Sequence, residues 1–212
     1  METLKLEDVY AILGKITEVI CENAIFLCEL DSVVGDGDHG TTIRRGVKAA
    51  LEKIENEKPD KVDKLLAAYA LGMVSTMGGA SGPIFSSMFL GMGMETQGSD
   101  EITLEHLIKS FENGLARVMK IGKSAEGDKT LIDALAPGIR AMKASSEAGE
   151  SLGTALTKMH EAAKEGIEKT KEIVAKKGRS RYAGERGIGH QDAGATSVTL
   201  IINCFAEHVN QG

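Results

Sequence analysis

The stretch VYAILGKITEVICENAIFL, residues 9–27, places apolar side chains at intervals of three and four residues. The members of this pattern are Val9, Ile12, Leu13, Ile16, Val19, Ile20 and Leu27. This spacing puts them on one face of an α-helix. The same period recurs along most of the chain and predicts an all-α fold of about eight helices. The run SVTLII, residues 197–202, has the composition of a strand, but its helical neighbours and the lack of a partner strand favour a helix.

Glycine, proline and capping residues set the predicted helix boundaries. The first helix is expected to end near residue 30, and the others to cover about 41–54, 60–77, 84–94, 103–122, 129–148 (kinked at Pro137), 151–177 and 195–208. Glycine-rich loops at 35–40, 78–82, 122–127 and 178–194 follow helices one, three, five and seven. In an antiparallel up-and-down bundle, alternate loops fall at the same end. We therefore expect these four loops to meet at one end of a single domain covering residues 1–212.

The composition favours an ordinary globular domain with an aliphatic core. Of the 212 residues, 42% are hydrophobic but only 4% are aromatic, and there is no Trp. The net charge of −6 argues against general nucleic-acid binding. The cysteines Cys21, Cys28 and Cys204 form no Cys-x-x-Cys pair and suit free thiols in a reducing compartment. No signal sequence opens the chain, and no apolar run approaches the ~20 residues of a membrane span, so we expect a cytoplasmic protein.

The loop after the first predicted helix reads DSVVGDGDHG, residues 31–40, and concentrates negative charge. Its carboxylates, Asp31, Asp36 and Asp38, lie within eight residues and would repel one another without a cation. Oxygen-only ligands favour Mg²⁺ or Ca²⁺ over zinc. A dinucleotide-binding glycine loop is excluded because a helix precedes the segment, and an EF-hand is excluded because Glu is missing from its twelfth position. The remaining alternative is a solvated Asp-Gly turn.

Three further segments have features that suit an anion. The glycines of 78–82 and the GDKT sequence of 127–130 each run into a helix start, whose backbone N–H groups attract phosphate. Lys129 and Thr130 are candidates to support the loop at 127–130. The GDKT sequence does not fit the P-loop, because Asp128 is inserted before its lysine and no strand precedes it. The alternatives are an ordinary capped helix start for 127–130 and simple helix breaking for 78–82. The loop 178–194 carries three arginines, which suit phosphate charge unless the loop is merely flexible. Together with the aspartates, these segments predict a metal–nucleotide site for phosphoryl transfer.

This combination resembles the ADP-binding L subunits of dihydroxyacetone kinases. The resemblance rests on Asp31 with GDGDHG at 35–40, GASG at 79–82, GDKT at 127–130, GER at 184–186 and GHQD at 189–192. These motifs span nearly the whole chain in order. Two departures are Ala193, where the family usually has proline, and Thr41-Thr42, where asparagine is more usual.

The resemblance implies a barrel of eight antiparallel helices that holds ADP or ATP at one end. It implies that Asp31, Asp36 and Asp38 bind two Mg²⁺ ions and act in catalysis together with Arg179. The nucleotide pocket that it implies is formed by His39, Gly40, Thr41, Thr42, Ala80, Ser81, Gly122, Leu131, Arg179, Asp192, Ala193 and Gly194.

The same resemblance implies a phosphotransferase that works with two partner subunits. A K subunit holds dihydroxyacetone, and a phosphohistidine M subunit of the phosphotransferase system recharges the bound ADP at the expense of phosphoenolpyruvate. Two other functions stay open: an ATP-dependent kinase subunit for a related ketose such as erythrulose, and a nucleotide-bound regulatory subunit. A homodimer is one open oligomeric state, and neither a nucleic acid nor a membrane is expected as a partner.

Overall fold

Nine α-helices and one 3₁₀ segment form the part of the chain that the computed structural model describes, residues 1–99 and 101–211. The helices are α1 Leu6–Glu22, α2 Ala24–Ser32, α3 His39–Glu57, α4 Val62–Thr76, α5 Ser81–Met94, α6 Leu104–Gly122, α7 Ile132–Glu147, α8 Leu152–Thr170 and α9 Ala193–Gln211, and the 3₁₀ segment is Ser180–Gly187. The run 197–202 lies within α9, so its prediction as a helix is confirmed. Within the described ranges, the extended pairing consists of one isolated bridge between Leu4 and Ile102.

Two of the predicted helix boundaries were wrong. The first predicted helix is divided at Asn23, whose backbone leaves the helical region and whose side-chain amide donates to the Val19 carbonyl at 2.8 Å. The apolar pattern continues across this break and therefore conceals it. The seventh predicted helix ends at Thr170 instead of continuing to 177, because the Thr170 hydroxyl donates to the Ile167 carbonyl and accepts the backbone N–H of Asp192.

The helices close into a ring. Each of the helices α3 to α8 packs against the next one in the chain, and α1 packs against both α3 and α9. The imidazole Nε2 of His208 in α9 lies 3.0 Å from the carboxylate of Asp8 in α1, where the ring closes. If the short helix α2 is treated as the extension of α1, the ring contains the eight helices that the sequence predicts. The all-helical fold expected from the periodicity is thus confirmed.

The interior is aliphatic, with a few aromatic side chains at its centre. Tyr69 packs edge-on against Phe89 with ring centroids 4.9 Å apart, and Phe111 packs edge-on against Phe205 at 5.4 Å. All four side chains are essentially buried. Burial of such side chains, at roughly 1.5–3 kcal/mol each, is the main force that holds the helices together. None of the described helices combines the length and the apolar character that a membrane span requires.

Glycines inside the helices allow neighbouring helix axes to approach closely. A Cβ atom at Gly72 of α4 would lie 2.5 Å from the Cα of Ala50 in α3, and one at Gly138 of α7 would lie 3.0 Å from the Met159 carbonyl of α8. A helical glycine costs about 1 kcal/mol relative to alanine, and the closer packing offsets this cost. The high glycine content therefore has two causes, the loops expected from the sequence and these helix contacts.

Candidate functional site

The four glycine-rich loops lie together at one end of the barrel, as their alternation along the chain predicts. A Cβ atom at Gly122 would lie 3.7 Å from Ile84 in the first turn of α5, and one at Gly194 would lie 3.5 Å from the backbone nitrogen of Leu131. The guanidinium of Arg179 forms an ion pair with Asp36. These contacts join the start of α5 to the third loop, the start of α7 to the fourth loop, and the fourth loop to the first.

The three aspartates of the first loop form a compact acidic cluster. Each of Asp31, Asp36 and Asp38 offers a carboxylate oxygen, and these oxygens all lie within 4.8 Å of one another. The backbone N–H groups of Asp38 and His39 donate to one oxygen of Asp31, at 3.0 and 3.3 Å. Asp31 is therefore held by the backbone at the start of α3, while Asp36 and Asp38 are exposed to solvent. The prediction that these three residues come together is supported by this geometry.

The backbone of the Asp loop, residues 31–40, depends on its glycines. Gly37 has a φ of +72°, a conformation that few residues other than glycine adopt readily. A Cβ atom at Gly35 would collide with the carboxylate of Asp31, and one at Gly40 would collide with the Ala24 carbonyl of α2. Gly40 thus brings the first turn of α3 against α2, which places Asp38 beside Asp31.

The electrostatics of the cluster suit a hard cation. Burial and the nearby carboxylate of Asp36 raise the pKa of Asp38, although the guanidinium of Arg179 opposes the shift. Such crowding of carboxylates favours a bound cation or a proton. The donors are carboxylate oxygens, and two of the three side chains are open to solvent and to a phosphate ligand. The residues present therefore fit Mg²⁺, which binds through one or two carboxylates plus substrate phosphates.

The side chains at the end of the Asp loop and just after it point in different directions. The His39 ring lies against Phe85, with ring centroids 6.1 Å apart, and its Nε2 is 2.9 Å from the hydroxyl of buried Ser197. Burial lowers the pKa of His39 and favours the neutral imidazole. Thr41 faces Cys28, whose sulfur accepts its backbone N–H, and Thr42 is buried. The His39 side chain is consequently turned toward α5 and α9.

The start of α5 has the features of an anion site. Gly79, with a φ of +66°, turns the chain into the helix, and a Cβ atom there would have no neighbour within 4 Å. Ala80 is exposed, Ser81 is half-buried, and no side chain caps the first turn of α5. The N–H groups at this helix start therefore have no side-chain acceptor from the protein, and a phosphate could accept them.

The turn Asp192-Ala193-Gly194 lies against the start of α7. The Asp192 carboxylate accepts the backbone N–H of Ala195 at 2.7 Å, which caps α9, and the Asp192 N–H donates to the hydroxyl of Thr170. Burial, reinforced by nearby Asp133, raises the pKa of Asp192 to about 7. The contacts of Asp192 are thus structural. Leu131 and Ala193 are both buried.

A cleft of about 570 Å³ separates the Asp loop from the 3₁₀ segment. Its lining residues are Ser32, Val33, Val34, Gly35, Asp36, Arg179, Tyr182, Ala183 and Arg186. Two of these, Asp36 and Arg179, were predicted as site residues from the sequence. The residues Ala80, Gly122, Leu131 and Asp192 lie at the same end of the barrel but do not line this cleft. Tyr182 and Arg186 were missed as individual site residues, and the arginine content of the loop was the signal that pointed to them.

Lys129 has a different position from that expected of a residue that supports a phosphate-binding loop. It is buried, and its ammonium donates to the carbonyls of Gly187 and Ile173. Thr130 contributes to the start of α7, because its hydroxyl accepts the Ile132 N–H and its own N–H donates to Asp133. The GDKT sequence therefore fixes backbone, and neither of these two side chains reaches the cleft.

An all-helical barrel with an acidic cluster, an uncapped helix start and an arginine at one end has the parts of a metal-dependent phosphate-binding domain. The chain belongs to the DAK2 domain family, whose model matches residues 33–207. It is 35% identical over 189 residues, 89% of its own length and 90% of the relative's, to the PEP-dependent dihydroxyacetone kinase, ADP-binding subunit DhaL, of Escherichia coli K12. The Lactococcus lactis PTS-dependent dihydroxyacetone kinase, ADP-binding subunit DhaL, is 32% identical over 93% of this chain and 94% of its own.

A solved structure has the same fold. The dihydroxyacetone kinase from C. freundii, crystallised with AMP-PNP and Mg²⁺, superposes with a TM-score of 0.73 and 25% identity. The superposition covers 98% of this chain and 35% of that larger protein. The relatives are subunits or whole chains of dihydroxyacetone kinases, which are phosphotransferases. The resemblance noted from the sequence motifs is thereby confirmed.

Proposed function

We propose that this chain is the ADP-binding subunit of a phosphoenolpyruvate-dependent dihydroxyacetone kinase. The observation that carries the proposal is the cluster of Asp31, Asp36 and Asp38, whose carboxylate oxygens lie within 4.8 Å of one another next to Arg179. The ADP-binding subunits of E. coli and L. lactis match it over about nine-tenths of their lengths. ADP is proposed to stay bound and to act as a carrier of the phosphoryl group.

Asp31, Asp36 and Asp38 are the proposed ligands of two Mg²⁺ ions. Bound Mg²⁺ offsets the negative charge of the phosphates during transfer. The backbone N–H groups that hold Asp31 keep its carboxylate directed into the cluster. The backbone N–H groups of Ala80 and Ser81, at the start of α5, are proposed to bind phosphate oxygens. Arg179 is proposed to stabilise the charge on the transferred group.

The remaining nucleotide contacts are proposed from the arrangement of the loops. The proposed pocket residues are His39, Gly40, Thr41, Thr42, Gly122, Leu131, Asp192, Ala193 and Gly194. We expect most of these residues to contact the nucleotide through their backbone. The side chain of His39 is hydrogen-bonded to Ser197, and the carboxylate of Asp192 caps α9. We expect the side chains of Leu131 and Ala193 to form an apolar floor, since both are buried at the same end of the barrel.

Two partner subunits complete the proposed reaction. A K subunit would hold dihydroxyacetone and activate its hydroxyl, because the cleft contributes a single carboxylate, Asp36, which is paired with Arg179. A phosphohistidine M subunit would return a phosphoryl group to ADP. Little covalent chemistry is then required of this chain, and its contribution is to position the phosphates and to stabilise their charge.

The first test is to denature the freshly purified protein and identify any released nucleotide. Stoichiometric ADP supports a carried cofactor. Asp36→Asn should then lower ADP binding in the presence of Mg²⁺ by more than about tenfold, since one charged ligand is lost. Asp60→Asn is the matched control, because Asp60 is exposed and pairs with Lys64 on the surface. Unchanged ADP retention in Asp36→Asn, with an intact far-UV spectrum, would reject the metal assignment.

An ATP-dependent kinase for a related ketose is the second candidate function. It is favoured by the L-erythrulose 1-kinase of Mycolicibacterium smegmatis, which is 29% identical over 96% of this chain and 36% of its own length. The two functions differ in their phosphoryl donor. Transfer to the ketose from phosphorylated M subunit but not from free ATP supports the main proposal, and efficient transfer from ATP with the K subunit alone supports the second.

A further inference from the structure

Lys129 is a buried lysine that the proposed chemistry does not use. Its exposed fraction is 2%, and within the described ranges no other lysine or arginine is buried to this degree. Its backbone has a φ of +60°, which is uncommon for a residue other than glycine. A strained backbone and a buried charge both cost stability, and together they indicate that the side chain has a specific task.

The ammonium of Lys129 joins the two ends of one loop. It donates to the carbonyl of Ile173 at 3.2 Å and to the carbonyl of Gly187 at 2.6 Å. These two residues flank the segment 174–186, which contains Arg179 and the residues of the cleft wall. Hydrogen bonds from a charged donor are about twice as strong as neutral ones. Lys129 therefore closes the base of this segment, which we name the arginine loop.

The same lysine lies close to Gly187, where the chain leaves the arginine loop and approaches the Asp loop. A Cβ atom at Gly187 would lie 3.8 Å from the Nζ of Lys129 and 3.4 Å from a methyl group of Val34. Val34 belongs to the Asp loop and lines the cleft. Near the middle of the arginine loop, Arg179 pairs with Asp36. The arginine loop is thus fixed to the site at two points, and Lys129 forms the inner one.

We infer that Lys129 is a positioning residue that holds the arginine loop closed over the Asp loop and so prolongs the residence of the bound nucleotide. This inference rests on the proposed function. Burial lowers the pKa of Lys129, and the carboxylate of Asp192 acts in the opposite direction. The backbone bonds from Gly189 to Lys171 and from Lys176 to Asp128 support the base of the loop on either side of this point. Without the ammonium, these bonds would remain, but the inner attachment of Gly187 would be lost.

The test compares the wild-type protein with Lys129→Met, which keeps the length and the apolar stem but removes the ammonium. The dissociation rate of a fluorescent ADP analogue in the presence of Mg²⁺ should rise at least about tenfold, which corresponds to about 1.4 kcal/mol. Cleavage of the native protein by trypsin after Arg181 and Arg186 should accelerate. Mn²⁺ binding in the absence of nucleotide should change less than about twofold, because the Asp loop keeps its own backbone bonds. If Lys129 had only a structural role, its replacement would instead lower the unfolding temperature and leave the dissociation rate of the ADP analogue and the cleavage rate of the folded protein unchanged.

Gly187→Val is the second variant, for use if Lys129→Met does not fold. It keeps Lys129 and adds a branched side chain at the buried position of Gly187, next to Val34 and to the ammonium of Lys129. Faster ADP release and faster trypsin cleavage support the inference. Wild-type rates of both processes in this variant, or in Lys129→Met, overturn it. If the wild-type protein binds no ADP, the proposed function fails, while the trypsin comparison still tests whether Lys129 fixes the loop.

Discussion

The Asp192 carboxylate should make the protein less stable as the pH rises through the neutral range. Burial raises its pKa from 3.8 to about 7 in the folded state. Between these two pH values the folded protein holds a proton at Asp192 that the unfolded chain has lost. The free energy of unfolding therefore falls as the pH rises from about 4 to about 7, and this contribution is constant above about pH 8. A shift of about three pH units corresponds to at most about 4 kcal/mol.

Replacing Asp192 with Asn removes the titration but keeps the helix cap. Asn and Asp are about equally good at this position, so the bond to the Ala195 N–H should persist. The stability of Asp192→Asn minus that of the wild type should then increase by about 3 kcal/mol between about pH 5 and pH 8. Urea denaturation at both pH values measures it, after EDTA treatment has removed bound metal and nucleotide.

Asp60→Asn serves as the control, because Asp60 is exposed and lies on the surface beside Lys64. Its difference from the wild type should not grow toward high pH. Asp192→Ser offers a second neutral cap and should reproduce the behaviour of Asp192→Asn. A pH-independent difference between Asp192→Asn and the wild type would show that the carboxyl is ionised across this range, which would refute the argument from burial.

Two further predictions concern the helices. Gly72→Ala should lower the free energy of unfolding by about 1–3 kcal/mol, because its Cβ would lie 2.5 Å from the Cα of Ala50. Gly14→Ala should raise the free energy of unfolding by about 0.5–1 kcal/mol, since a Cβ there meets nothing within 4 Å. Thermal and urea denaturation of the two variants would decide this, and equal effects would contradict the packing role of Gly72. Ser151→Ala should cost about 1 kcal/mol in the same assay, because Ser151 accepts the Thr154 N–H and caps α8.

The fold could be predicted from the sequence because the residues that determine it recur at regular intervals. Apolar side chains at helical spacing identify the buried faces, and the alternation of glycine-rich loops places the site at one end. The break at Asn23 was not predictable in this way, because Ala24 and Leu27 continue the apolar pattern and are both buried. The side-chain bond from Asn23 to Val19 that accompanies the break is local, but the sequence contains no strong signal for it.

The acidic cluster was predictable because its three aspartates are close together in the sequence. Asp31, Asp36 and Asp38 are separated by short, glycine-containing segments, so a single turn brings them within bonding distance of one ion. The cleft wall could not be assigned residue by residue. Tyr182 and Arg186 face the Asp loop only because tertiary contacts fix the arginine loop, and no local pattern encodes those contacts.

The GDKT sequence shows why a motif alone did not determine the role of its residues. Its glycine and lysine resemble those of a phosphate-binding loop, where the lysine would face the ligand. Here Gly127 and Lys129 both have positive φ angles, and this backbone turns the lysine side chain into the protein. Asp133 accepts the N–H groups of Gly127 and Thr130 and so stabilises the turn. The charge of Lys129 is therefore used on two backbone carbonyls, and under the proposed function it acts on the nucleotide by fixing the arginine loop.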